Sequence, residues 1–404
     1  MRFGLADPCA HSRIAPDLTL KSNRALALAT GADSLLLPDH LIQVIPRSLY
    51  TTENAALKHL IPDLDACYEP WTVLGHLAGR NRLGRLRLGT GCTDTARRNP
   101  AVTAQAAATL HQLTRGRAIL GIGAGEGMNQ TPYGVPTERR VAMYEEAIET
   151  IRALWDSGGK PVTRESEFFP LRDAMMTIPP YRGTRPEIWV GGHGPRMRRA
   201  VGRYGDAWFP GVTMEPSEYG EHLAGIRDVA ADHGRDPQSI VAAKYFFVVT
   251  AHSAGLVEEI LESPLVKSYA LCAPAAYWAR HGAEHPLGAE HTGVVDLVPQ
   301  VIDEPTALDY ARRTPTSLIR NFTLAGTPAE VLDQLAEWRD HGMAYPILLN
   351  LGQMQPKLAR GMLTNAAFAQ ILRGIRKLGV APPRPTGAAP AAGRTAGAAE
   401  HVAA

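Results

Sequence analysis

The chain has 404 residues, of which 45% are hydrophobic and 20% charged, and its formal net charge is +2. That is ample apolar material for a large buried core, while a charge so near zero offers no electrostatic basis for a nucleic-acid partner or an anionic membrane surface. The four cysteines, Cys9, Cys67, Cys92 and Cys272, are scattered with no C-x-x-C pair, which argues against a disulfide framework or structural zinc and fits a reducing compartment.

The N-terminus has no apolar signal segment and no apolar run reaches membrane-spanning length, so a soluble, cytoplasmic protein without a transmembrane segment is expected. Arg2–Ala6 reads as a first strand and Asp17–Thr30 as a helix stopped by Gly31. Ser34–Leu37 is a second strand ending in Pro38-Asp39-His40, and Arg85–Gly89 a third that runs into Gly91-Cys92-Thr93-Asp94. Pro100 opens an alanine-rich helix to Leu113, with proline in its favoured first-turn position. Arg117–Ile122 is the fourth strand, and Glu138–Trp155 a long amphipathic helix. Glu187–Val190 leads into Gly191-Gly192-His193-Gly194-Pro195 and a helix to Tyr204. Asp206–Phe209, a helix over Ser217–His233, the β-branched and aromatic strand Ile240–Thr250, a helix over Ala329–His341, the strand Pro346–Leu351 and a helix near Leu358–Leu378 complete the alternation.

Eight strands alternating with helices predict an α/β fold, a single (β/α)₈ TIM barrel over residues 1–380. Two long insertions, about 158–186 and 251–326, interrupt the rhythm; segments of that length are functional or carry their own helices. Residues 381–404, rich in Ala, Pro and Gly, read as a disordered tail.

In such a barrel chemistry sits at the C-terminal ends of the strands, and the notable residues fall there. His40 is the natural proton donor or acceptor, because imidazole titrates near neutral pH, and Asp39 could orient its ring. Glu126 follows alternating glycines that would let the backbone approach a flat ring; a carboxyl beside a desolvated ring should have a raised pKa and act as an acid. Gly191–Pro195 opens a helix, so its backbone N–H groups make an anion site for a cofactor phosphate, with charge added by Arg196, Arg198 and Arg199. For each motif a bland alternative exists: a capped turn, a solvated glutamate, a solvated basic helix face.

Two patterns mislead. Gly121–Gly127 reads G-x-G-x-G-x-G, which does not fit the dinucleotide spacing G-x-G-x-x-G and follows the fourth strand, not the first. His281-Gly-Ala-Glu284-His285 matches H-x-x-E-H, but Gly282 and Pro286 deny it the continuous helix a metal site of that type needs. No metal site is expected, although His291 stands nearby.

Asp39-His40, the stretch Arg98–Thr109, Leu120–Glu126 with Asn129, and Val190–Pro195 together resemble the bacterial-luciferase-like superfamily, and within it the coenzyme F420-dependent branch. The likeness covers nearly the whole chain except the tail and is densest before about residue 210. It also takes in Thr93-Asp94, Arg97-Arg98 and Trp278–Gly282. The resemblance implies His40 as the active-site histidine with Glu126 assisting. It implies Asp39 and Asn129 at the cofactor, Gly91 and Cys92 at a non-prolyl cis peptide behind the ring, and His193 and Gly194 over the phosphate arm. Relatives that act on sugar phosphates carry a tryptophan where this chain has Val44, and a lysine in a loop that here reads Gly211-Val-Thr-Met-Glu215. The resemblance thus implies an apolar carbonyl substrate, a small-molecule or lipid ketone. It implies hydride transfer from reduced F420 with His40 supplying the proton. FMN in a monooxygenase on the same barrel is the alternative cofactor, followed by a non-catalytic flavin-binding barrel and a metallohydrolase. Dimers are frequent in the family, which leaves a homodimer open.

Overall fold

The computed structural model describes residues 1–15, 17–81, 85–211 and 213–379; the tail expected at 381–404 lies outside the described residues. Its strands are β1 (Gly4–Ala6), β2 (Ser34–Leu37), β3 (Arg87–Thr90), β4 (Thr93–Asp94), β5 (Ala118–Gly123), β6 (Val162–Arg164), β7 (Leu171–Ala174), β8 (Glu187–Val190), β9 (Ala207–Trp208), β10 (Val241–Thr250), β11 (Leu324–Gly326) and β12 (Tyr345–Asn350). Eight of them pair in parallel in the ring β1-β2-β3-β5-β8-β9-β10-β12, and β12 returns to β1 through Gly4↔Ile347. A closed parallel barrel results, as the alternation of elements predicts. Strands such as β2 and β5 are buried along their whole length, which is why they read as continuous apolar runs.

The helices start and stop where local chemistry dictates. The helix Leu18–Thr30 ends at Gly31, whose φ of 73° lets its N–H reach back to the Ala27 and Leu28 carbonyls. The helix Pro100–Leu113 begins with the Asn99 side chain accepting from the Ala101 N–H, and Pro328–Asp340 with a capping box between Thr327 and Glu330. The main core lies between barrel and helices, around Leu35, Leu74, Leu88, Ile188, Tyr219 and Ile371. Inside the barrel, Trp189 meets Phe209 and Tyr345 edge-on at 5.8 and 5.1 Å and closes the floor.

The first insertion contains the antiparallel hairpin β6–β7. The second holds five helices, Ala254–Leu261, Pro264–Lys267, Ala275–Arg280, Glu304–Arg313 and Thr316–Phe322, over a satellite core that includes Leu49, Leu265, Trp278, Leu297 and Leu318. It returns as β11, which pairs with the far end of β10 from Val248↔Leu324 to Thr250↔Gly326. A three-residue strand gives no period to read, so the sequence leaves β11 inside the insertion.

Candidate active site

The strand ends converge on a cavity of about 380 Å³. All eight residues singled out from the sequence, Asp39, His40, Gly91, Cys92, Glu126, Asn129, His193 and Gly194, border it. His40, at the end of β2, and Glu126, after β5, face each other with Nε2 and Oε2 3.0 Å apart. Asn129 couples the two loops: its Nδ2 donates to Glu126 Oε2 at 3.0 Å, and its Oδ1 accepts from the Leu41 N–H at 2.8 Å. The other ring nitrogen, His40 Nδ1, is buried with no partner among the described residues. The Gly91–Cys92 peptide is cis, as the resemblance implies.

Two expectations need correction. Asp39 does not orient the His40 ring. Its carboxylate turns to a buried cluster, accepting from Thr93 Oγ1 at 2.6 Å and Arg98 Nε at 2.8 Å, with Arg97 NH2 2.9 Å away; Glu126 takes the orienting place. Burial works to raise the Asp39 pKa, but the Arg98 hydrogen bond, the Arg97 charge and the Thr93 hydroxyl outweigh it, and the carboxyl sits below its ordinary range. The Glu126 pKa is likewise lowered, not raised: burial pushes it up, and the His40 ring, Asn129 and the Arg97 charge pull it further down. The site therefore holds an anion against imidazole, not a neutral acid. The glycine run serves the protein's own packing as well as the cavity, which Gly123 and Gly125 line. A β-carbon on Gly121 would collide with the Thr90 carbonyl oxygen, and one on Gly125 (φ +97°) with the Gln130 amide.

The loop Gly191–Gly194 leads into the helix Pro195–Tyr204, with Gly194 as N-cap. Trp208 Nε1 donates to the Gly192 carbonyl at 2.8 Å and Arg198 NH1 to the His193 carbonyl at 3.1 Å, so Arg198 fixes the loop. Arg196 instead reaches outward to Glu145. The His193 pKa is lowered by burial and by the neighbouring charges of Arg198, His222 and Lys244, an electropositive surrounding suited to an anion.

The opposite wall is apolar and was not assigned from the sequence. Tyr245 and Phe247 project inward from β10, and Tyr269, Val294, Val295 and Phe322 come from the second insertion. Phe247 stacks on Phe322 at 5.6 Å and meets Tyr269 at 5.0 Å. The alternation along β10, with Lys244, Phe246 and Val248 buried on the outer face, carried the signal for Tyr245 and Phe247. The H-x-x-E-H pattern is not helical: the helix ends at Arg280 and Gly282 turns the chain with φ 71°. Among the described residues no group of three or more His, Cys, Asp or Glu side chains could hold a metal ion, and no helix is long and apolar enough to cross a membrane.

The cavity suits a planar cofactor in two respects. Its wall at Cys92 and Gly123 has no side chain beyond the thiol, and a helix N-terminus stands at the rim.

Comparison with known proteins agrees with this architecture. The chain is 51% identical over 379 residues to a phthiodiolone/phenolphthiodiolone dimycocerosates ketoreductase of Mycobacterium bovis (strain BCG / Pasteur 1173P2), covering 94% of this chain and 99% of that protein. Among solved structures, an F420-dependent secondary alcohol dehydrogenase in complex with an F420-acetone adduct superimposes with TM-score 0.68 at 21% identity, over 92% of this chain and 98% of that one. The coenzyme F420-dependent tetrahydromethanopterin reductase of Methanopyrus kandleri superimposes with TM-score 0.69 at 19% identity, over 94% and 99%. At such identities the two structures speak for the fold alone. Residues 1–345 match the family described as luciferase-like monooxygenase, and the chain belongs to that family.

Proposed function

We propose that the protein is an F420-dependent oxidoreductase that reduces the keto group of a lipid or polyketide substrate. The observation that carries this reading is the His40–Glu126 pair, 3.0 Å apart, at the polar side of a cavity whose far wall is aromatic and aliphatic. The 51% identity to a lipid ketoreductase supports the substrate class, and the solved F420-dependent proteins of the same fold are compatible with the cofactor.

When bound, reduced F420 supplies a hydride to the carbonyl carbon. His40 donates the proton that the growing negative charge on the carbonyl oxygen requires, and it recovers that proton from solvent after each turnover. Glu126 stays ionised and holds the protonated ring in place. Asn129 fixes the Glu126 carboxylate and the backbone after His40 together. Asp39 anchors the end of β2 by its ties to Arg97, Arg98 and Thr93. Gly91 and Cys92 would form the wall behind the cofactor, and His193 and Gly194 at the helix N-terminus would hold its phosphate. Tyr245, Phe247, Tyr269 and Phe322 exclude water and seat the apolar part of the ketone.

The test is oxidation of reduced F420 by the purified protein against a panel of long-chain and short-chain ketones, with NADPH and reduced FMN as controls. Ketone-dependent oxidation of reduced F420 without oxygen uptake is expected. Oxygen consumption with reduced FMN, and none of the former, would establish the monooxygenase alternative instead.

A further inference from the structure

Arg97 and Arg98 are adjacent in the loop after β4 and both reach Asp39, yet they do different work. Arg98 forks onto the Asp39 carboxylate and extends outward to Glu69 Oε1 at 2.7 Å. Arg97 is largely enclosed, with only 11% of its side chain accessible. Its NH2 lies 2.9 Å from Asp39 Oδ1 and also donates to the Asp39 backbone carbonyl, in the peptide that leads into His40. Its Nε stands 3.7 Å from Asp94 Oδ2. That same oxygen accepts from Gln130 Nε2 at 3.0 Å, which also donates to the Ala124 carbonyl at 3.1 Å, two residues before Glu126. Among the described residues Arg97 Nε has no hydrogen-bond partner, so this guanidinium is hydrogen-bonded to the strand end that carries His40 and acts on the loop that carries Glu126 through the Asp94 charge.

We propose that Arg97 is a positioning residue for the His40–Glu126 pair: it holds the two loops in register and supplies the fixed positive charge behind the carboxylate. The role rests on the reading that this pair serves the substrate. Glu126 is faced by His40, Asn129 and Arg97 on its polar side, and by the Cys92 and Cys272 thiols and the Tyr245 hydroxyl across the cavity. Both neutralise Asp39, but Arg97 also reaches the Asp39 carbonyl that leads into His40 and is among the groups that lower the Glu126 pKa, whereas Arg98 turns outward to Glu69. The two arginines therefore separate a local electrostatic role from a merely structural one.

The experiment compares Arg97→Met, Arg98→Met and Arg97→Lys in the full chain by two readouts. The first needs no cofactor: the ring ¹⁵N resonances of His40, assigned by their loss in His40→Gln, are followed as pH is lowered. Protonation of Glu126 perturbs the ring signal, and that inflection is expected to move up by about one pH unit in Arg97→Met while staying in place in Arg98→Met and Arg97→Lys. The second is steady-state turnover of a ketone with reduced F420. Arg97→Met is expected to lose about tenfold in kcat with KM little changed. Lysine restores the inflection but only part of kcat, because one ammonium cannot stand both where NH2 meets Asp39 and where Nε stands beside Asp94. Equal inflection shifts in the two methionine variants, or none in Arg97→Met, overturn the proposal. If Arg97→Met does not fold, Arg97→Lys decides: full wild-type kcat there overturns it. A protein that shows the expected inflections but no ketone-dependent oxidation of reduced F420 refutes the functional reading and supports the positioning role alone.

Discussion

The two halves of the cavity wall are built on opposite principles. The side formed after β2, β3, β5 and β8 is polar, and nearly every group there is held by another: His40 by Glu126, Glu126 by Asn129, Asp39 by two arginines and a threonine. The side formed by β10 and the second insertion is held by ring contacts among Tyr245, Phe247, Tyr269 and Phe322. Hydrogen bonds fix direction, which proton transfer demands; apolar contacts fix only volume and shape, which is all that a hydrocarbon substrate reads. On the proposed reading, this division would place the chemistry on the polar strand ends and the choice of substrate on β10 and the insertion.

The largest effect that would break this division is expected at His40. His40→Ala should cut kcat about 10²–10⁴-fold with little change in KM for the ketone; unchanged turnover would remove the polar half from the chemistry. Asp39→Asn comes next. It leaves Arg97 and Arg98 without their shared buried anion and should cost about 3–5 kcal/mol of stability, read as a lowered denaturation midpoint. The same variant sharpens the point by its pH dependence. The folded pKa of Asp39 lies below its unfolded value, so its contribution is present above the ordinary carboxylate range and is lost as pH falls through the folded pKa. Wild-type stability should fall away on that acid side more steeply than that of Asp39→Asn.

On the apolar side the expected effects are smaller and of another kind. Phe247→Ala or Phe322→Ala, each removing one ring of a stacked pair, should raise KM for a long-chain ketone about tenfold, near 1.4 kcal/mol, and leave kcat within a few-fold. A loss confined to kcat would mean that this wall positions the reacting carbonyl and not its chain. Smallest of all, Arg196→Gln breaks an exposed pair with Glu145 and should change the melting temperature and KM for the cofactor hardly at all, since such pairs contribute about 0–1 kcal/mol.

How much of this was legible in the sequence follows the same line. The barrel was readable because parallel strands buried on both faces leave apolar runs, and because residues such as Gly31, Pro100 and Thr327 punctuate the helices. The site residues were readable because a barrel brings strand ends to one mouth, whatever the sequence distance between His40 and Glu126. Partner choice was not. The sequence set Asp39 beside His40 along the chain, but successive side chains at a strand end point apart, so Asp39 turned to Arg97 and Arg98 while Glu126, far away in sequence, met the ring. The sign of the Glu126 shift followed from that contact and could not precede it. The insertion resisted for another reason: its short helices and the three-residue β11 owe their form to the satellite core around Trp278 and Leu297, not to any local period.

The pairing of β11 with the end of β10 sets Thr250 and Gly326 side by side. The chain leaves the barrel and re-enters it at neighbouring points, and what lies between is pinned to the barrel loops as well: the Val294 carbonyl accepts from the Gly127 N–H and the Ile302 carbonyl from the Ser48 hydroxyl. A chimaera that imports this segment from a relative, together with the loop residues that hold it, should therefore carry over that relative's taste in substrates, read as relative kcat/KM across ketones.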